Sequence, residues 1–234
     1  MPLFLIALTC HAANTAEDYL AKGDEYFKGS AYDKAIAEYN QAISLNPESA
    51  EGYFNRGNAY LKKKNFKEAI ADYNKALEID PIFSGVYYNR ARAYFDENDI
   101  DNAIADFTRA EEFFSGDYEL YYSRARAYFK KSDYAQAILD YTKAVELKPN
   151  HAVSYCNRGN AQLKLGNTKE AIADYDKAIE LYPEFDKAYY NRAAAYFLLK
   201  EYDKSLVDVK KAEALGYKIP QDFREQLNRA LEKK

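Results

Sequence analysis

Residues 50–83 read AEGYFNRGNAYLKKKNFKEAIADYNKALEIDPIF, and their pattern decides the fold. Tyr53, Gly57, Tyr60 and Leu61 follow one another at steps of four, three and one, the stripe of an amphipathic helix. The polar run Lys62 to Asn65 breaks that stripe and supplies a turn. Phe66, Ala69, Ile70, Tyr73, Ala76 and Leu77 then mark a second apolar face at helical spacing. Pro81 cannot continue this helix, and Asp80 before it is pushed out of helical geometry, so the unit ends there.

The same register returns along nearly the whole chain. A tyrosine recurs every 34 residues, at Tyr19, Tyr53, Tyr87, Tyr121, Tyr155 and Tyr189. A small residue stands four places after each, at Gly23, Gly57, Ala91, Ala125, Gly159 and Ala193. Alanines repeat at Ala35, Ala69, Ala103, Ala137 and Ala171, with Ser205 in the sixth place, and again from Ala42 through Ala212. Pro47, Pro81, Pro149 and Pro183 close four units, while Ser115 and Tyr217 stand at the other two closing places. Such a period predicts a stack of helix pairs, each too small to bury its own core, whose joint surface serves binding. The small positions let paired helices approach closely, and the tyrosines fill the space beside them.

These residues resemble the tetratricopeptide repeat, a 34-residue helix–turn–helix unit with aromatic, small, alanine and proline residues at fixed places. The resemblance implies an all-α, right-handed superhelical solenoid of six units: 16–49, 50–83, 84–117, 118–151, 152–185 and 186–219. Residues 220–234, beginning with Pro220, place Phe223, Leu227 and Leu231 on one helix face and read as a C-terminal capping helix.

Composition sets limits on function. The 234 residues carry 33 basic and 37 acidic groups, a net charge of -4, which argues against the basic stripe that nucleic-acid binding needs. Two cysteines and two histidines leave no disulfide framework and no metal cluster. No phosphate loop or nucleophile motif occurs, so the expectation is a protein without cofactor or catalysis.

The N-terminal stretch 1–15, MPLFLIALTCHAANT, lies outside the repeat. Its apolar run Leu3 to Leu8 has the size of a signal-peptide core and is too short to span a bilayer. Two readings stand: an export signal, with lipidation at Cys10 as one form of it, or an apolar extension packed on the first repeat. Only a lipidated N-terminus would bring the chain to a membrane. The corresponding locations are the periplasm or envelope on one hand and the cytoplasm on the other.

In the resembling family the first helix of each unit lines a groove for extended peptides. By register, that implies peptide-binding positions at Phe54, Asn55, Asn58, Tyr88, Asn89, Arg92, Tyr122, Arg126, Asn157, Lys187 and Tyr190. Aromatic rings beside guanidinium groups suit a protein or peptide partner carrying acidic and apolar groups. The asparagines have a second reading, as bonds between neighbouring repeats. The carboxylate clamp known in chaperone-tail receptors is not reproduced: its places hold Leu20, Asp24, Asn55, Gly85 and Asn89 in the first three units. In the last three they hold Tyr122, Arg126, Asn157, Lys187 and Asn191, where only Asn157 and Lys187 agree and Arg126 is a basic stand-in. Arg56, Arg90, Arg124, Arg158 and Arg192 each precede an aspartate by 16 residues and read as structural ion pairs, exposed ones worth about 0–1 kcal/mol each. The functional expectation is an adaptor that holds an extended peptide segment; the alternative is an exported or lipid-anchored scaffold in pilus or outer-membrane biogenesis.

Overall fold

The computed structural model describes residues 14–233. Cys10 and the run Leu3 to Leu8, which carry the export and lipidation readings, lie outside them. Among the described residues there are thirteen α-helices and no strand. The chain divides into two compact units, Met1–Asn98 and Asp99–Lys234.

The first unit holds α1 (Ala16–Lys28), α2 (Tyr32–Leu45), α3 (Ala50–Lys62), α4 (Phe66–Ile79) and α5 (Ser84–Asp96). Each helix packs on the next, α1 on α2 through to α4 on α5. The second unit holds α6 (Ile100–Phe114), α7 (Tyr118–Lys130), α8 (Tyr134–Leu147), α9 (Ala152–Lys164), α10 (Thr168–Leu181), α11 (Asp186–Leu198), α12 (Tyr202–Ala214) and α13 (Gln221–Glu232). Here too packing runs from each helix to its successor. This is an all-α solenoid of tandem helix pairs, the class the 34-residue period predicts.

Local signals place the helix ends. Thr15 opens α1 with a reciprocal capping box: its hydroxyl accepts from the Asp18 backbone N–H, and the Asp18 carboxylate accepts from the Thr15 backbone N–H. Asp80, just before Pro81, adopts φ -130 and ψ 93 and ends α4. Where Ser115 replaces the proline, α6 runs on to Phe114. Pro220 sits one place before α13, which begins at Gln221, in an extended conformation.

The turn inside each helix pair has a feature the sequence hides. Ser30, Lys64, Asn98, Ser132, Gly166 and Lys200 share one register, and all have positive φ, from 58 to 83 degrees. Gly166 takes this conformation without steric cost, whereas a side chain there is strained.

The core repeats with the sequence. Tyr73 is fully buried with Ala69, Ala76, Val86 and Ala93, and Tyr175 is fully buried with Ala171, Ala178, Ala188 and Ala195. Each of these rings lies over the glycine of its partner helix: a Cβ on Gly57 would stand 2.8 Å from Tyr73 Cε1, and one on Gly159 would stand 2.7 Å from Tyr175 Cε1. At the C-terminus Leu227 is buried against Ala193 and Val209, with Phe197, Leu206, Phe223 and Leu231 around it, so α13 covers the apolar face of α11 and α12. Arg224 pairs with Glu213 across the same joint.

Close approach at Gly57 has a measurable consequence. Gly57→Ala gains helix propensity worth about 1 kcal/mol but forces the Tyr73 ring aside at a cost of about 1–3 kcal/mol. Urea unfolding should therefore give a net loss, and a variant at least as stable as the parent would show that the contact is not tight.

Candidate peptide-binding surface

The recurring arginines are the most constrained polar groups. Arg56 donates through Nε to Asp72 Oδ2 at 2.8 Å and through Nη2 to Asp72 Oδ1 at 2.6 Å. The same fork joins Arg124 to Asp140 at 2.7 and 2.9 Å, Arg158 to Asp174 at 2.9 and 2.6 Å, and Arg192 to Asp208 at 2.7 Å twice. The remaining nitrogen reaches back to the preceding helix pair: Arg56 to Asn40 at 2.7 Å, Arg90 to Asn74 at 2.7 Å, Arg158 to Thr142 at 3.1 Å and Arg192 to Asp176 at 2.5 Å. Arg124 uses its third nitrogen on Glu111 at 2.5 Å. Each of these guanidiniums also lies over the repeating tyrosine three residues before it, as Arg56 does over Tyr53 at 5.4 Å.

These are not exposed pairs, as the sequence suggested. Asp72, Asp140, Asp174 and Asp208 are only 3–8% exposed because the neighbouring helices cover them. Burial pushes the Asp72 and Asp140 carboxyls up against the pull of their arginines, while the bonded carboxylate raises Arg56 and Arg158. Removing one partner would strand a charge in the core. The repeating tyrosines add a further tie, donating to backbone carbonyls six residues earlier: Tyr87 to Pro81 at 2.9 Å, Tyr121 to Ser115 at 3.1 Å and Tyr189 to Pro183 at 3.3 Å.

The asparagines form a second ladder. In the first unit, Tyr73 donates to Asn58 Oδ1 at 2.8 Å, and the same oxygen accepts from Asn89 Nδ2 at 2.9 Å. One repeat earlier, Asp24 accepts from Tyr39 at 2.7 Å and from Asn55 at 3.2 Å. In the second unit, Asn160 accepts from Tyr175 at 2.9 Å and from Asn191 at 2.8 Å. Each acceptor follows the glycine over which the tyrosine lies. Asn55, Asn58 and Asn89 thus each hold a bond between neighbouring helix pairs. Asn157 does so by donating to Tyr122 Oη at 3.3 Å.

Where the acceptor position is arginine, the ladder takes another form. Arg92 in the first unit and Arg126 in the second are both exposed, and lie over Tyr88 at 6.0 Å and Tyr122 at 5.9 Å. Arg92 also lines a cleft with Leu61, Lys62, Lys64, Phe66 and Asp96. A second cleft of the first unit is lined by Ala50, Glu51, Phe54, Asn55, Asp80 and Phe83, with Phe54 packed on Phe83 at 4.8 Å between ring centroids. In the second unit Tyr122 meets His151 edge-on at 5.4 Å, and Lys187 is exposed. Tyr190 stacks on Tyr217 at 4.8 Å and is met edge-on by Phe223 at 5.6 Å, so its ring is engaged by the C-terminal cap.

One element of this surface was missed in the sequence. Lys62 and Lys64 read there only as turn residues, although a turn that tolerates glycine at one of its six registers does not require lysine. Cys156, one place after its repeating tyrosine, is 3% exposed, with burial pushing its thiol up to about 11. Among the described residues no group of three or more metal-ligating side chains comes together.

Comparison with known proteins places the chain. Patterns described as TPR repeat match residues 23–64 and 125–166; two described as tetratricopeptide repeat match 50–83 with 152–185, and 72–105 with 174–206. These matches together cover well over half of the sequence, and the chain belongs to the tetratricopeptide repeat family. No curated protein matches it. Among solved structures, YrrB, described as a TPR protein with an unusual peptide-binding site, is 24% identical at a TM-score of 0.69, covering 74% of this chain and 89% of its own. A MamA protein is likewise 24% identical at a TM-score of 0.68, over 74% of this chain and 94% of its own. MamA from Desulfovibrio magneticus RS-1 is 18% identical at 0.69, over 73% and 97%. These are likenesses of fold.

Burial of Cys156 predicts its chemistry. A thiol held in its neutral form and covered by protein reacts slowly. Iodoacetamide at neutral pH, followed by peptide mapping, should leave Cys156 unmodified in the folded protein and label it in urea. Rapid labelling of the folded chain would contradict this packing.

Proposed function

We propose that the protein is a non-enzymatic interaction scaffold that holds an extended segment of a protein partner on the inner helices of its repeats. The observation that carries this reading is the division of labour among repeated polar groups. Arg56, Arg124, Arg158, Arg192 and the asparagine ladder are committed to joining helix pairs. Arg92 and Arg126 stand in the ladder's register as exposed cations over tyrosine faces, chemistry suited to carboxylates and apolar side chains. That one protein of the same fold is described as having a peptide-binding site supports the reading.

The alternative, an exported or lipid-anchored envelope scaffold, rests on Leu3 to Leu8 and Cys10. The intact mass of the protein from its own cells separates the two.

The scaffold reading is tested by comparing the parent chain with the double variant Arg92→Glu, Arg126→Glu as bait. Both positions are exposed, so the variant should keep its helical melt. It should lose specific partners of the parent, with affinity down by about tenfold or more. Retention of every partner by a folded variant would sink the reading.

A further inference from the structure

The cleft of the first unit that contains Arg92 is lined by more cations than acids. Lys62 closes α3, Lys64 lies in the following turn, and Arg92 extends from α5, so three cations from two repeats line one depression. Leu61 and Phe66 provide apolar lining, and Asp96 is the single acid. Among the described residues, none of the three cations is paired with a carboxylate, whereas neighbouring Lys63 is held by Asp33.

The fold does not need the charges of Lys64 and Arg92. Residues 152–185 repeat residues 50–83 at a distance of 102, with NRGNA at 55–59 and 157–161 and KEAIADY at 67–73 and 169–175. The ladder is also copied, Tyr73 and Asn89 on Asn58 matching Tyr175 and Asn191 on Asn160. Yet the places of Lys64, Phe66 and Arg92 hold Gly166, Thr168 and Ala194, and that of Asp96 holds Leu198. Leu61 and Lys62 are copied as Leu163 and Lys164, so the sister copy keeps one of the three cations and lacks the two, Lys64 and Arg92, that make this cleft strongly basic. Lys64 further keeps a long side chain at φ 63, where its counterpart is a glycine at φ 83. The positive φ is shared by Ser30, Asn98, Ser132 and Lys200, so it is the charge of Lys64, and not its backbone, that sets this turn apart from its sister copy.

We propose that the Lys62–Lys64–Arg92 cleft is a binding site for an acidic peptide segment, two or more carboxylates flanking one apolar side chain. The lysines and Arg92 take the carboxylates, the guanidinium offering a bidentate fork. Leu61 and Phe66 take the apolar side chain, and Asp96 accepts a backbone N–H that a bare anion would lack. Its net charge of -4 sets the whole chain against polyanions in general, which favours a short acidic peptide over a nucleic acid. The site rests on the scaffold reading in that its ligand is a peptide.

The test uses the full chain and a fluorescein-labelled peptide of sequence Gly-Glu-Phe-Glu-Glu-Gly, capped at both ends, with Gln for every Glu in its counterpart. Fluorescence anisotropy should show binding of the acidic peptide, weakened by salt, and at least about tenfold weaker binding of the neutral one. Lys62→Glu with Lys64→Glu should weaken the acidic peptide by about tenfold or more. Lys64→Gly separates structure from binding: it should raise the urea midpoint by relieving the turn, yet weaken the acidic peptide. Equal binding of both peptides, or acidic binding untouched by the lysine changes, overturns the cleft and leaves an extended-peptide scaffold standing. Binding of neither peptide also overturns it, and the scaffold reading then rests on the arginine double variant alone.

Discussion

A guanidinium forked onto a buried aspartate, with its third nitrogen on the preceding helix pair, is the contact on which the rest of this structure depends. A single helix pair cannot cover its own apolar stripe. Its neighbour must arrive at one register, so that each tyrosine meets its glycine or alanine. Arg56, Arg158 and Arg192 define that register because each bonds three helices at once, two of its own pair and one of the pair before. Hydrophobic burial supplies most of the driving force, but it is non-directional; the planar fork is directional. Since both partners are taken from water, desolvation offsets much of their attraction, and the pair adds little net stability.

From that commitment follows what is left for function. Once the arginines, the repeating tyrosines and the asparagine ladder are assigned to joining repeats, the polar surface available to a partner is narrower than the sequence suggests. Phe54, Tyr88 and Arg92 in the first unit and Tyr122, Arg126 and Lys187 in the second keep exposed or half-exposed atoms. Departures from the repeat are then more informative than the repeat itself. A residue present in every copy is explained by stacking; Lys64 and Arg92, absent from the sister copy at Gly166 and Ala194, are not.

Much of the fold was legible because its signals are periodic and local. The two stripes in residues 50–83 place α3 and α4, and the 16-residue spacing of arginine and aspartate identifies the ion pairs. Their burial was not legible, since it depends on how the neighbouring pair covers Asp72 or Asp174. The ladder was readable in principle: Asn58 and Asn89, like Asn160 and Asn191, stand 31 residues apart in adjacent repeats. The left-handed turn was hidden because five of its six positions lack glycine. Tyr190 looked like a surface ring because nothing local announces that Tyr217 and Phe223 return to pack on it.

The most direct measurement of the claim that the arginine fork sets the register is a double-mutant cycle on Arg158 and Asp174. Arg158→Met, Asp174→Leu and the combined variant would be unfolded in urea beside the parent. Each single change leaves a buried charge without its partner and should cost about 3–5 kcal/mol. The combined variant should recover much of that loss, giving a coupling energy above about 2 kcal/mol. A coupling near zero, with the two single losses simply adding, would mean that the fork is an incidental contact and that apolar packing alone fixes the stack.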